Sequence, residues 1–241
     1  MCFNAYFTRD IIIELLCKYR AKAARNRHNK YYLATKTHLK PEGEIYQIMP
    51  PRRMWCKFRF KKDNKVDSIK YTAKILYRAI KKTEEKLENN PSEKPPEWFN
   101  KLNLFINNVT AKINSDYNLA KPCVYLIQKD KTRTEYRPLS RYVLTEKVII
   151  SVAAKYFADV FDNLFFDCSY AFRSTKNKDE LSRKNHHKTI PIIQKYRQDN
   201  NANLWVAECD IRKFYDCVNH KLIRKTFWQF RTTEKISRYH S

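Results

Sequence analysis

The 241-residue sequence has one glycine, no pair of adjacent aspartates and no Cys-x-x-Cys or Cys/His spacing typical of a zinc site. Its seven cysteines are an odd, scattered set, which favours reduced thiols over a disulfide framework. No apolar run approaches the ~20 residues that a membrane-spanning helix needs. The segment Ile11–Leu16 is too short for a signal core, and acidic residues flank it. These absences predict a cytoplasmic protein without a membrane span.

Acidic residues are also scarce, because 25 Asp and Glu stand against 49 Lys and Arg, which gives a formal net charge of +24. A field of this sign favours a polyanionic partner, and nucleic acid is the commonest one in a cell. Abundant Lys, Asn, Ile and Tyr with a single Gly also indicate an AT-rich genome, which inflates Lys. That bias would raise Glu as well, so the excess of positive charge still predicts nucleic-acid binding.

The N-terminal region combines an apolar helical stripe with a basic, aromatic continuation. The stripe predicts a helix from the spacing of Ile12, Leu15, Leu16, Tyr19 and Ala23. The continuation contains Lys22, Arg25, Arg27, Lys30, Tyr31 and Tyr32. Such a segment can neutralise phosphates and stack on bases, although a solvated basic face explains it equally well.

The secondary structure of the middle of the chain is predicted from the spacing of apolar residues and from turn-forming residues. Glu44–Met49 and Met54–Phe60 are predicted as strands, and Val124–Gln128 with Thr134–Leu139 as a β-hairpin with a cationic tip. Four helices are predicted around Ile75–Leu87, Trp98–Ile113, Val148–Leu164 and Ile190–Tyr196, the first three of them amphipathic. The stretch Asn89–Pro96, with three prolines, separates the first two of these helices.

The most informative stretch surrounds Asp210. Leu204 to Ala207 predict a buried strand, Asp210 lies at its exit, and Asn219 is a good N-cap for the following helix. A carboxylate at a strand end is held rigidly yet is open to solvent, as a metal-binding acid must be. An ordinary strand-to-helix turn with a capping aspartate is the alternative interpretation.

The run from Asp210 to Asp216, Asp-Ile-Arg-Lys-Phe-Tyr-Asp, resembles the first acidic motif of reverse transcriptases. The bacterial enzymes of group II introns, retrons and phage defence are the most similar kinds. The resemblance implies that Asp210 bridges two Mg²⁺ ions and that the carbonyl of Ile211 ligates one of them. It also implies that Tyr215 is the aromatic gate that excludes a 2′-hydroxyl group.

Two further segments resemble the same family, in the same order along the chain. The hairpin is similar to the fingers hairpin, which implies that Lys129 and Arg137, the latter in Arg-Pro-Leu, grip the incoming triphosphate. The run Cys168–Arg173 resembles the Ser-Tyr-Gly-Phe-Arg motif, with Ala171 in place of glycine. This match places Tyr170, Phe172 and Arg173 near template and primer. The resemblance covers roughly Pro122–Lys225.

The resemblance implies an α+β fold with the fingers and partial palm of a right-hand polymerase. Residues 1–118 would form a helical, basic N-terminal extension, residues 119–200 the fingers, and residues 201–241 the start of a truncated palm. The Tyr-x-Asp-Asp motif with the remaining carboxylates is absent. We therefore expect this chain alone to be inactive unless another chain or segment supplies that motif.

The expected function of the complete enzyme is RNA-directed DNA synthesis. The partners implied are an RNA template, a DNA or RNA primer, and deoxynucleoside triphosphates, with Mg²⁺ as cofactor. The alternative from another class is a non-catalytic RNA-binding or interaction module that retains this scaffold. A general basic RNA-binding protein with chance similarity to the motifs is a third interpretation.

Overall fold

The computed structural model describes residues 3–27, 43–54, 68–115, 117–128, 136–162, 165–166, 168–170, 186–200, 218–226 and 228–229. The chain divides into two compact units, Met1–His186 and His187–Ser241. The described residues form a predominantly helical structure with one two-stranded sheet, which agrees with the α+β class at this coarse level.

The elements follow one another in a simple order. The helices are α1 (Arg9–Arg27), α2 (Glu44–Gln47), α3 (Ser68–Asn89), α4 (Glu97–Asn114), α5 (Leu144–Phe161) and α6 (His186–Asp199). Between α4 and α5 lies the hairpin of β1 (Cys123–Gln128) and β2 (Tyr136–Arg141). Short 3-10 turns occupy Asn4–Tyr6 and Arg52–Met54, and residues 220–226 are helical in the second unit. The four predicted helices, the proline-rich break and the hairpin are therefore confirmed.

The core of the first unit is built around one face of α1. Its fully buried residues recur at helical spacing and are Ile12, Ile13, Leu16, Cys17 and Ala21. They belong to one apolar cluster with Leu76 and Ile80 of α3, Leu102 and Val109 of α4, and Val148 and Val152 of α5. Each fully buried Leu, Ile or Val side chain stabilises the fold by roughly 1.5–3 kcal/mol relative to exposure. The predicted N-terminal helix is confirmed by this stripe.

The strand predicted at Glu44–Met49 is wrong. The structure has Gly43 at a φ of 107°, followed by the short helix α2 and then by Ile48 and Met49, which are both buried. Neighbouring residues of a strand point to opposite faces, so a strand cannot easily bury both of them against one partner. The bend that follows α2 buries both of them in the core. Met54 ends a 3-10 turn, and the rest of the predicted strand Met54–Phe60 lies outside the described residues.

A buried carboxylate joins α4 to α5. Glu146 is 1% exposed, and its Oε1 accepts hydrogen bonds from the Tyr117 hydroxyl and, at 3.5 Å, from Lys112 Nζ. Its Oε2 is buried and accepts no hydrogen bond from the described residues. The hydrogen bond to Tyr117 and the nearby Glu146 raise the pKa of Lys112. Glu146 thus links the end of α4, through Lys112 and Tyr117, to the first turn of α5.

We predict that Tyr117→Phe destabilises the protein by about 1–3 kcal/mol, because it leaves a buried carboxylate short of a donor. The matched control is Tyr71→Phe, which removes a hydroxyl from a tyrosine that is 60% exposed. Urea denaturation followed by circular dichroism measures both changes. Equal midpoints for the two variants would contradict the role given to the Tyr117–Glu146 hydrogen bond.

We also predict that Cys17 resists alkylation in the native protein. Its side chain is 1% exposed, and burial raises the pKa of its thiol to about 12, so the reactive thiolate is scarce. Cys123 and Cys168 are exposed and serve as internal controls. Peptide mapping after brief iodoacetamide treatment at pH about 8 should find Cys17 unmodified until guanidinium is added. If Cys17 were labelled as fast as Cys123, its burial in the core would be contradicted.

Candidate nucleic-acid interface

The hairpin places one predicted site residue in a defined position. Strands β1 and β2 pair antiparallel, with Arg137 opposite Ile127 and Arg141 opposite Cys123. Val124, Tyr125 and Ile127 favour strand structure, and each strand of a two-stranded sheet keeps a free edge, where Pro138 is tolerated. The described β2 spans Tyr136–Arg141, so it ends two residues later than the sequence predicts.

The two faces of the hairpin differ in chemistry. Directly paired residues share a face, and successive residues alternate between faces. One face therefore carries two guanidinium groups and a phenol; we call it the arginine face, and it consists of Cys123, Tyr125, Ile127, Arg137, Leu139 and Arg141. The opposite face carries Val124, Leu126, Gln128, Tyr136, Pro138 and Ser140. Only the arginine face combines cations with an aromatic ring.

Both faces of the hairpin are accessible. Tyr125 is 45% exposed on the arginine face, and Tyr136 is 53% exposed on the other. Arg137 and Arg141 are exposed as well, four residues apart on one strand. That spacing corresponds to about 14 Å along an antiparallel strand. The arginine face can thus present two separated cations with a tyrosine ring on the neighbouring strand.

A second basic surface lies at the C-terminal half of α1. Arg20 is 6% exposed, and its guanidinium carbon lies 4.2 Å from the centroid of the Tyr46 ring. Burial, together with the nearby cations Arg27 and Arg52, lowers the pKa of Arg20 to about 10. Arg20 is still protonated at neutral pH. Several positive charges therefore converge at this end of the helix.

Part of this surface is predicted by the sequence, and part of it is not. Lys22, Arg25 and Arg27 lie on α1 as predicted, whereas Lys30, Tyr31 and Tyr32 lie outside the described residues. Arg20 was missed, although a signal was present. It follows Leu16 by four residues, so the helical spacing places a charged residue on the buried stripe.

Some of the remaining predicted site residues lie within the described ranges, and the others lie outside them. Arg137 lies on β2, and Tyr170 is half-buried after the exposed Cys168. The residues outside the described ranges are Lys129, Phe172, Arg173, Asp210, Ile211 and Tyr215. Within the described ranges, His, Cys, Asp and Glu side chains nowhere gather in a group of three or more that could hold a metal ion. The metal site and the sugar gate therefore stay predictions.

The helix after Asp210 is capped as the sequence predicts. Asn219 Oδ1 accepts hydrogen bonds from the backbone N–H groups of Lys221, at 2.9 Å, and Leu222, at 3.3 Å. This is the N-cap geometry that satisfies otherwise unpaired amides in the first turn of a helix.

Comparisons of the chain with protein-family models, with curated proteins and with solved structures found no match. In the part of the chain that the structure describes, none of the helices combines the length and apolarity that crossing a membrane requires.

Proposed function

We propose that this protein is a nucleic-acid-binding polymerase of the reverse-transcriptase type, which acts in RNA-templated DNA synthesis. The observation that carries the proposal is the arginine face of the hairpin. Arg137, the residue that the motif resemblance selects, lies exposed on this face, one strand away from an exposed tyrosine. The order of the three motifs along the chain supports the same function.

The proposed role of Arg137 follows from its chemistry and its accessibility. Guanidinium is a planar fork donor that can bind two phosphate oxygens at once, and it stays protonated at any physiological pH. Lys129 directly follows the last residue of β1 in the sequence and would add a point charge. In the proposed function, these two side chains hold the triphosphate of the incoming nucleotide while the tyrosine ring faces a base or sugar.

A non-catalytic nucleic-acid-binding module is the second candidate. The favouring observation is that both described basic surfaces, the arginine face and the C-terminal half of α1, require only phosphates as partners. Such a module would bind RNA through the same residues but would transfer no nucleotide. The two candidates therefore make the same prediction for binding and opposite predictions for synthesis.

For binding, we predict that Tyr125→Ala weakens the affinity for single-stranded RNA by about 5- to 150-fold, which corresponds to the ~1–3 kcal/mol of one base–aromatic stack. Fluorescence anisotropy with a labelled oligonucleotide at low salt measures it. The matched control is Tyr136→Ala on the opposite face of the hairpin, where the ring is similarly exposed. An equal loss for both variants would remove the arginine face from the interface.

For synthesis, we predict that Asp210→Asn abolishes Mg²⁺-dependent primer extension while binding to primer–template is retained, because the change is isosteric and removes only charge. The assay uses the protein together with the Tyr-x-Asp-Asp motif, supplied in the same chain or by a second one. The control Asp199→Asn removes a carboxylate from the exposed end of α6.

The outcome of that assay separates the two candidates. Extension by the unaltered protein and by Asp199→Asn, but not by Asp210→Asn, supports the polymerase. Extension by Asp210→Asn at the unaltered rate contradicts the assignment of Asp210 to the catalytic site. Binding of RNA without extension under any of these conditions favours the non-catalytic module.

A further inference from the structure

Three cations from three separate elements lie close enough to influence one another, and one of them contacts the ring of Tyr19. Lys147, in the first turns of α5, holds its Nζ 4.3 Å from the centroid of that ring. Lys22 follows Tyr19 by three residues on α1, so the two side chains lie on the same side of the helix. Arg141 is the last residue of β2. We call Lys22, Arg141 and Lys147 the three-cation cluster.

The position of Lys147 is fixed by its surroundings. The Tyr19 hydroxyl lies 2.5 Å from Ser151 Oγ and 3.3 Å from the carbonyl oxygen of Lys147 itself. The ring is therefore anchored to α5 at its hydroxyl end while its face contacts the ammonium group. The contacts of Tyr19 with Lys147 and Ser151 bring the side of α1 that carries Tyr19 and Lys22 against the start of α5.

The positive charges of the cluster repel one another. Burial lowers the pKa of Lys147, and the positive charges of Lys22 and Arg141 lower it further. Among the described residues, none of the three cations forms an ion pair with a carboxylate. The carboxylate of the neighbouring Glu146 is engaged by Tyr117 and Lys112 instead. An anion bound here would relieve this repulsion.

The backbone adds to the positive potential around Lys147. The N-cap residue of α5 is Val143, which makes no side-chain cap hydrogen bond. Lys147 donates the first backbone bond of the helix, to the carbonyl of Val143 at 3.0 Å. A cation in the first turn opposes the positive end of the helix dipole. This arrangement costs stability in the free protein, and a bound anion offsets that cost.

The cluster also connects the two basic surfaces of the first unit. Arg141 belongs to the arginine face, on which Arg137 lies about 14 Å along the same strand. Lys22 belongs to the C-terminal half of α1, which continues through Arg25 to Arg27. A single phosphate ion cannot span this distance, whereas a nucleic-acid strand carries a phosphate at every nucleotide.

We propose that Lys22, Arg141 and Lys147 together bind the phosphodiester backbone of one nucleic-acid strand, which crosses from the arginine face of the hairpin to the C-terminal half of α1. The inference rests on the nucleic-acid-binding part of the proposed function and is independent of nucleotide transfer. The strand is recognised by its phosphates, so RNA and DNA can both occupy the cluster.

The test is a salt titration of oligonucleotide binding by the whole chain. The triple variant Lys22→Gln, Arg141→Gln, Lys147→Gln is compared with the unaltered protein by fluorescence anisotropy on a labelled single-stranded RNA. For single strands, the logarithm of affinity falls with the logarithm of salt by about 0.7 per phosphate neutralised, so the slope should become shallower by about 2.

A charge-matched control separates this cluster from diffuse attraction. Lys74, Arg78 and Lys82 are also two lysines and one arginine, and they lie four residues apart on the exposed side of α3. Replacing all three by Gln removes the same net charge, and we expect little change in slope. Equal changes in slope for the two triple variants would overturn the proposal in favour of diffuse binding.

Two further measurements keep the result interpretable. The double variant Lys22→Gln, Arg141→Gln leaves the Lys147–Tyr19 contact in place, so it tests the cluster even if the triple variant unfolds. The salt dependence of its affinity should become shallower by about 1.4. Inorganic phosphate, added at constant ionic strength, should not displace the RNA. Displacement would indicate a site for a discrete phosphate ion and would contradict the binding of a nucleic-acid strand at the cluster.

The proposal and the proposed function fail in different ways. If the unaltered chain does not bind RNA or DNA at all, the proposed function fails together with this inference. If the unaltered chain binds and both cluster variants keep its slope, only this inference fails. Primer extension plays no part in either decision.

Discussion

The apolar stripe of α1 is the surface against which the first unit is built. Ile12, Ile13 and Leu16 are completely buried, and helices α2, α3 and α5 all contact this helix. The stripe continues to Arg20, where an aliphatic stem can remain in the core while the charged group stacks on Tyr46. Because the stripe runs into a charged residue, the orientation of α1 in the core also determines where the basic end of the helix emerges.

Charge is distributed unevenly along the same helix, and this asymmetry produces a candidate interface. At its N-terminal end, Asp10 pairs with Lys81, and Arg9 pairs with Glu84. Beyond Glu14, the charged residues of α1 are all basic. Acids near the start and bases near the end suit the helix dipole, so the segregation is locally stable. It leaves an excess of positive charge beside α5 and the end of β2, where like charges meet.

The sequence predicts the helices and the hairpin well because their signals are local. Apolar residues at helical spacing locate α1, α3, α4 and α5, and short β-favouring runs locate β1 and β2. The strand predicted at Glu44–Met49 is wrong because burial against α1 requires Ile48 and Met49 to point the same way, which is a tertiary requirement. The three-cation cluster was missed for a related reason. Its members lie up to 125 residues apart (147 − 22) on three elements, and no local pattern marks them as neighbours.

The contact of Lys147 with Tyr19 distinguishes this lysine from the many solvated ones on a chain of net charge +24. A free lysine side chain loses close to 2 kcal/mol of rotamer entropy when a ligand fixes it. The tyrosine ring already restricts Lys147, so a phosphate that binds there encounters a partly ordered cation and a smaller entropic cost. Partial burial has also removed some of the water around the ammonium before a ligand arrives. A lysine held in this way contributes more to binding one strand at one place than an equal charge on a mobile side chain, which attracts polyanions without fixing their position.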